Sequence, residues 1–292
     1  MSAEFVPGLA GVVAAKSAIG FIDGKQGILR YRGIRIEDLS EHSTFEEVSF
    51  LLLFGKLPNA DELAGFEADL KAERALDPAI LAVLKALPKT THPMVALQTA
   101  VAAMGGVDDH MDVTDAARNV AAAKKLIAVI PSITGTFDRL RKGLAPVQPD
   151  NSLGHAANFI YMTTGEVPND QVARLMDVCL ILHAEHGFNA STFTGRVVGA
   201  TLANPYATMS AAVGSLSGPL HGGANERVLE MLAEIPGVEA VEGWLDDALA
   251  NKRKIMGLGH RVYKVKDPRA TILQGLAADL FAQQGSTPLY DI

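Results

Sequence analysis

From Ser43 to the C-terminus the chain is written almost entirely in the helical period. Ala and Leu recur at three- and four-residue spacings, and Gly or Pro closes one segment after another. A text of this kind packs helix against helix. A doubly wound sheet is excluded because strand and helix patterns never alternate for long. Thr44-Phe-Glu-Glu47 forms a capping box ahead of Val48–Phe54, and Gly55 and Pro58 close that helix. Further helices are expected at about 60–74, 77–86, 93–104, 114–131, 133–142, 152–164, 169–186, 191–203, 206–216, 225–234, 239–251 and 268–284. Residues 93–104 are apolar on nearly every face, which marks a helix inside a large bundle. Only the start reads differently: Ala18–Ile22 and Gly27–Tyr31 flank Asp23-Gly24 as a β-hairpin. The expected fold is all-α, in two domains, with that small hairpin.

At 292 residues there is room for a large core and two domains. The composition changes near residue 222, from the most apolar helices to a run of Glu and Asp, which places the boundary between 1–222 and 223–292. Cys179 is the single cysteine and lies in an apolar run, so no disulfide can form within the chain, as suits a reducing cytoplasm. No secretory signal opens the sequence and no uninterrupted apolar run is long enough to span a bilayer. A net charge of -7 argues against nonspecific nucleic-acid binding, and a membrane is not an expected partner.

On that acidic background one segment stands out. Seven Lys or Arg fall between Lys252 and Arg269, around Gly257-Leu-Gly-His260. A cationic island collects anionic ligands, and the glycines let backbone amides approach one closely. A second histidine sits in an equally unusual setting, Gly218-Pro-Leu-His-Gly-Gly-Ala-Asn225, where a Gly-Gly turn can hold an imidazole at a cleft. His183 and His186 close a long apolar helix and, three apart, are expected on one side of it. A metal site is not expected, since the spacing is wrong for a metalloprotease helix and no cysteine pair supports it. His42, His92, His110 and His155 stand singly, and each is read as structural. Gly214-Ser-Leu-Ser-Gly218 has leucine where a nucleophile elbow needs serine, and Gly257-Leu-Gly259 lacks the rest of a dinucleotide fingerprint.

Taken in order, His183-Ala-Glu-His186 with Asn189-Ala-Ser191, Gly218–Asn225, Gly257–Lys264 and Asp267-Pro-Arg269 resemble the citrate synthase family, and the likeness runs over essentially the whole chain. The openings Gly8-Leu-Ala-Gly-Val-Val and Tyr31–Leu39 are similar to its bacterial branch. The resemblance implies an acyltransferase that condenses acetyl-CoA with oxaloacetate to citrate and CoA, feeding the tricarboxylic acid cycle through an enol and a citryl thioester. It implies His221 as donor to the acetyl-CoA carbonyl and His260 as donor to the oxaloacetate ketone. His186, Asn189, His260 and Arg269 would bind oxaloacetate, with Ser191 beside them and His183 orienting the helix end. Lys254, Ile255, Met256, Gly257, Leu258, Gly259 and Lys264 would bind CoA, a co-substrate, with no cofactor held permanently. A homodimer or dimer-based oligomer is implied too.

In family members the proton-abstracting aspartate and two further substrate-binding arginines follow the position of Ile292, and Asp291 lacks the motif that carries such a base. The small domain is therefore expected to be incomplete here. The competing readings are a 2-methylcitrate synthase using propionyl-CoA and a truncated, non-catalytic chain that binds CoA or a partner.

Overall fold

Residues 12–108, 112–259 and 262–292 are described by a computed structural model of the chain. The hairpin forms and gains a third strand. Strands β1 (Gly20–Asp23), β2 (Ile28–Tyr31) and β3 (Ile34–Arg35) make an antiparallel sheet in that order, with Gly20 opposite Tyr31 and Arg30 opposite Arg35. The first turn is set by Asp23, whose carboxylate accepts from the N–H groups of Lys25 and Gln26. Arg32 and Gly33, both at positive φ, turn the chain into β3. That strand is only two residues long, too short for an alternating pattern to reveal it.

Fourteen α-helices follow among the described residues: α1 (Ile36–His42), α2 (Phe45–Phe54), α3 (Ala60–Ala72), α4 (Pro78–Ala86), α5 (Pro93–Met104), α6 (Ala116–Arg141), α7 (His155–Thr164), α8 (Asp170–His183), α9 (Ala190–Gly199), α10 (Pro205–Leu216), α11 (Ala224–Ala233), α12 (Val241–Ala250), α13 (Pro268–Gln284) and α14 (Pro288–Asp291). The capping box at Thr44 is present in both directions, and Gly55 ends α2 in the left-handed region, as the sequence requires. Two expectations change. Ile36–His42, to which the pattern assigned no element, is α1. The separate helices at 114–131 and 133–142 are one continuous α6.

Pro131 lies inside α6 and removes one ladder hydrogen bond. Tertiary packing outweighs that loss. Ala128, Val129, Pro131, Ser132, Ile133, Gly135, Thr136 and Phe137 are all buried, and a Cβ on Gly135 would touch Met162 of α7 at 3.3 Å. The absent side chain lets α7 lie against the stretch the proline weakens. By length and composition α6 would pass for a membrane span, yet 56% of its most apolar window is buried inside the fold. That is the behaviour of a core helix.

Two apolar centres result. One joins α4, α5 and α6 with Tyr206 and Val213 of α10. The other joins Leu29 and Tyr31 of β2, Ile36 and Leu39 of α1, Val48 and Leu51 of α2, and Val178, Ile181 and Leu182 of α8. Each such side chain contributes about 1.5–3 kcal/mol on full burial. Ile272, Leu273 and Leu276 of α13 pack against this second centre, and α13 crosses α1 and α8. Tyr31 Oη donates to the carbonyl of Ile181 at 3.0 Å, so the end of α8 is pinned to the sheet. Sheet, α8 end and α13 start therefore meet at one place.

Candidate active site

His221 is carried by the turn between α10 and α11. Its N–H donates to Gly218 O at 2.9 Å, and Gly223 N–H is shared between Leu216 O and Gly218 O, both at 3.1 Å. A Cβ at Gly222 would come within 2.6 Å of Leu216 O, and one at Gly223 within 2.6 Å of Ser217 O. Only glycine fits either position, which explains the Gly-Gly pair. The imidazole faces the first turn of α9. Ser191 Oγ lies 2.8 Å from His221 Nε2, and Ser191 N–H donates to the same nitrogen at 3.3 Å. A backbone N–H can only donate, so Nε2 uses its lone pair and the ring proton resides on Nδ1. The result is a neutral imidazole with its N–H on the side away from Ser191. Asn189 sets this up: as N-cap of α9 its side chain accepts from Thr192 N–H at 3.0 Å.

At the other cluster α8 stops at His183, so His183 and His186 do not share a helical face as the three-residue spacing suggests. His183 is exposed and pairs through Nδ1 with the carbonyl of Cys179 at 2.6 Å. His186 lies three residues past the helix, before Gly187 at φ 69. Glu185 accepts from Gly187 N–H and steadies that bend, while burial raises its carboxyl above the usual range. His186 Nε2 is 3.3 Å from Tyr263 Oη, with ring centroids 5.6 Å apart. Tyr263 is buried, and desolvation, aided by Asp267, pushes its hydroxyl up to about 12.

Arg269 opens α13 at the same end of α8, its Nη1 directed at Leu182 O. Its two-point contact is with Asp267: Nε to Oδ1 at 3.1 Å and Nη2 to Oδ2 at 2.7 Å. Burial works against charge on Asp267, but the guanidinium and the Arg269 N–H outweigh it and hold the carboxyl below its ordinary value. Asp267 also caps α13.

The cationic island links these pieces. Arg253 is neutralised by Glu234 at 2.6 Å and lies over the Trp244 ring. Met256 N–H reaches Met231 Sδ, and Gly257 backs onto Val228, so the loop starts against α11. Gly257 and Gly259 both adopt positive φ. Lys254, Leu258 and Lys264 are exposed, and Ile255 and Met256 are half-buried. Beyond it, Lys264 N–H donates to Gly24 O at 2.7 Å, and a Cβ on Gly24 would fall 2.1 Å from Val262 O. The hairpin turn is clasped directly to the loop. His260 itself, like His110, lies outside the described residues.

The described hydrogen bonds thus form two clusters, His221–Ser191 and His186–Tyr263 with Arg269–Asp267. Pattern reading missed Tyr263 and Gly24, whose importance comes from contacts across the chain. An apolar cavity of about 190 Å3 among Leu97, Ile133, Phe137 and Phe159 is lined by none of the candidate residues.

A family model described as citrate synthase, C-terminal domain, matches residues 8–292. The chain belongs to the citrate synthase family. A citrate synthase of Synechocystis sp. is 51% identical over 288 residues, covering 99% of this chain and 72% of the relative. A 2-methylcitrate synthase of Mycobacterium tuberculosis is 43% identical over 267 residues, covering 91% and 67%. Among solved citrate synthases, that of Pyrobaculum aerophilum superposes with a TM-score of 0.87 at 40% identity, covering 95% of this chain and 71% of that one. The Thermoplasma acidophilum citrate synthase, in a ternary complex with carboxymethyl coenzyme A and oxaloacetate, superposes with a TM-score of 0.94 at 31% identity, covering 99% and 76%. The all-α expectation and the resemblance both hold.

Proposed function

We propose that this citrate synthase chain takes acetyl-CoA and oxaloacetate as substrates and that His221 is the donor which stabilises the enol. The observation that carries the reading is the double engagement of His221 Nε2 by Ser191, which leaves Nδ1–H of a neutral ring as the donor. A thioester methyl group is a very weak acid. Its proton leaves to a carboxylate base only if the carbonyl oxygen gains a hydrogen bond at the same time. A neutral N–H matches a neutral enol. The enol carbon then bonds to the oxaloacetate ketone, whose oxygen takes its proton from the His260 side, and water splits the citryl thioester to citrate and CoA.

His186, Asn189 and Arg269 are assigned to the oxaloacetate end. A substrate carboxylate competes with Asp267 for the Arg269 fork, so the guanidinium arrives pre-aligned for planar two-point contact. Lys254–Gly259 and Lys264 are assigned to CoA. For the oligomer we propose a homodimer through α9 and α10. No residue of α9 is buried, and Phe193, Val197, Met209 and Leu216 leave an apolar face open.

Replacing His221 by Gln, or His260 by Ala, should lower kcat by ~100–1000-fold. Near-normal turnover in either would refute that assignment. The 2-methylcitrate reading is kept because a relative of that name is 43% identical. Comparing kcat/KM for acetyl-CoA and propionyl-CoA decides it, since one methylene changes selectivity by only ~10–200-fold.

A further inference from the structure

We infer that His92 is a positioning residue, fastening the turn that presents His221; this rests on the catalytic reading of His221 above. His92 caps α5, and its Nδ1 accepts from Met94 N–H at 3.2 Å. With that lone pair in use, the proton sits on Nε2, which points between both carboxylate oxygens of Glu226 at 3.1 and 3.3 Å. Glu226 stands in the first turn of α11, directly after the His221–Gly223 turn. The contacts of Val228 and Met231 with the 256–257 segment lie further along α11 and leave its first turn to this bond. None of its residues is buried, and no side chain caps its start. Behind the turn is a cavity of about 250 Å3 lined by His92, Val95, Ser217, Pro219, Gly223 and Glu226. Arg227, the other charged residue at this cavity, is paired with Glu230 at 2.5 Å. The turn is unsupported by packing on that side, and the His92–Glu226 hydrogen bond spans the gap. Both side chains are about half exposed, 45% and 55%, so the pair adds little to global stability. Its effect falls on where the His221 imidazole sits.

The test compares His92→Ala, His92→Gln, Glu226→Ala and the double Ala variant by steady-state kinetics and thermal unfolding. His92→Ala and Glu226→Ala should each lower kcat ~10-fold through misplacement of the donor. KM for oxaloacetate should stay within about twofold. The unfolding midpoint should not move in Glu226→Ala, whereas His92→Ala also loses the α5 cap and should melt slightly lower. The double variant should be no worse than either single one, because both remove the same bond. His92→Gln should recover most of the loss, since its amide can donate to Glu226. Unchanged kcat in His92→Ala, additive losses in the double variant, or no recovery with Gln would each overturn the inference. His221→Gln is measured alongside. Turnover retained there refutes the catalytic reading of His221, whereas an inactive His221→Gln with a normal His92→Ala refutes the tether alone.

Discussion

Lowering the pH from 7 to 4 should drive a proton into the interior of the helical fold, at His155. This residue begins α7, is 4% exposed, and lies with its ring 5.0 Å from that of Phe45. Burial, and then the charge of nearby Arg74, depress its pKa from 6.5 to about 4. An unfolded chain therefore binds this proton at a pH where the folded chain refuses it. Stability is whole above about pH 6.5, declines as the pH falls, and levels off below about pH 4. A depression of this size corresponds to about 3 kcal/mol. Glu46, whose carboxylate accepts from His155 N–H at 2.8 Å, pulls the other way. Burial raises its pKa, so the folded state takes up that proton first and gains stability as the pH falls. Urea unfolding of the parent and of His155→Phe separates the two, because phenylalanine keeps the ring and does not titrate. Between pH 7 and 4.5 the parent should lose about 2–3 kcal/mol more than the variant. Parallel curves would refute the reasoning, as would an imidazole resonance for His155 that titrates near 6.5.

Three further outcomes follow from the site. Gly24→Ala places a methyl group against Val262 O and should displace the 262–266 loop, lowering stability by about 1–3 kcal/mol and raising KM for the CoA substrate; kinetics and melting identical to the parent would count against the clasp. Ser191→Ala keeps the backbone donor to His221 but loses the hydroxyl, and should lower kcat about 10-fold, with an unchanged kcat as the contrary result. Oxaloacetate and a CoA analogue should each tighten the other's binding, by ~5–150-fold, because the 254–266 loop joins both assigned sites; equal CoA-analogue affinity by calorimetry with and without oxaloacetate would exclude that coupling.

How much of this was legible in advance divides along physical lines. Thr44, Gly55 and Asp23 act on neighbours within four residues, and their patterns translate directly into a cap, a helix end and a turn. The glycines after His221 could be read as special but not as packed against Leu216 and Ser217. Pro131 misled because its local penalty is decided by α7, and nothing near Pro131 announces Met162. Asn189, placed with the substrate by resemblance, acts in the fold as a helix cap, a role its position three residues before Thr192 would have allowed. Arg269 was legible as a two-point binder of carboxylate, but not as one already holding Asp267. Tyr263, inside one motif, and Glu226, in the acidic run, gave no sign of their partners. Each matters through a histidine on another element, His186 and His92, and only the fold supplies that partner.

The clasp between Gly24 and the Val262–Lys264 segment joins points on either side of helices α1 to α12. Its closing entropy cannot be met until both ends exist and the helices between them have condensed. On a ribosome the hairpin emerges early and must wait for its counterpart while the helices between them are made. Assembly of the cationic loop is thereby a late event in the chain's maturation. A molecule made only as far as α12 holds the first apolar centre, but lacks both the α13 side of the second and the surface on which an anionic substrate would settle.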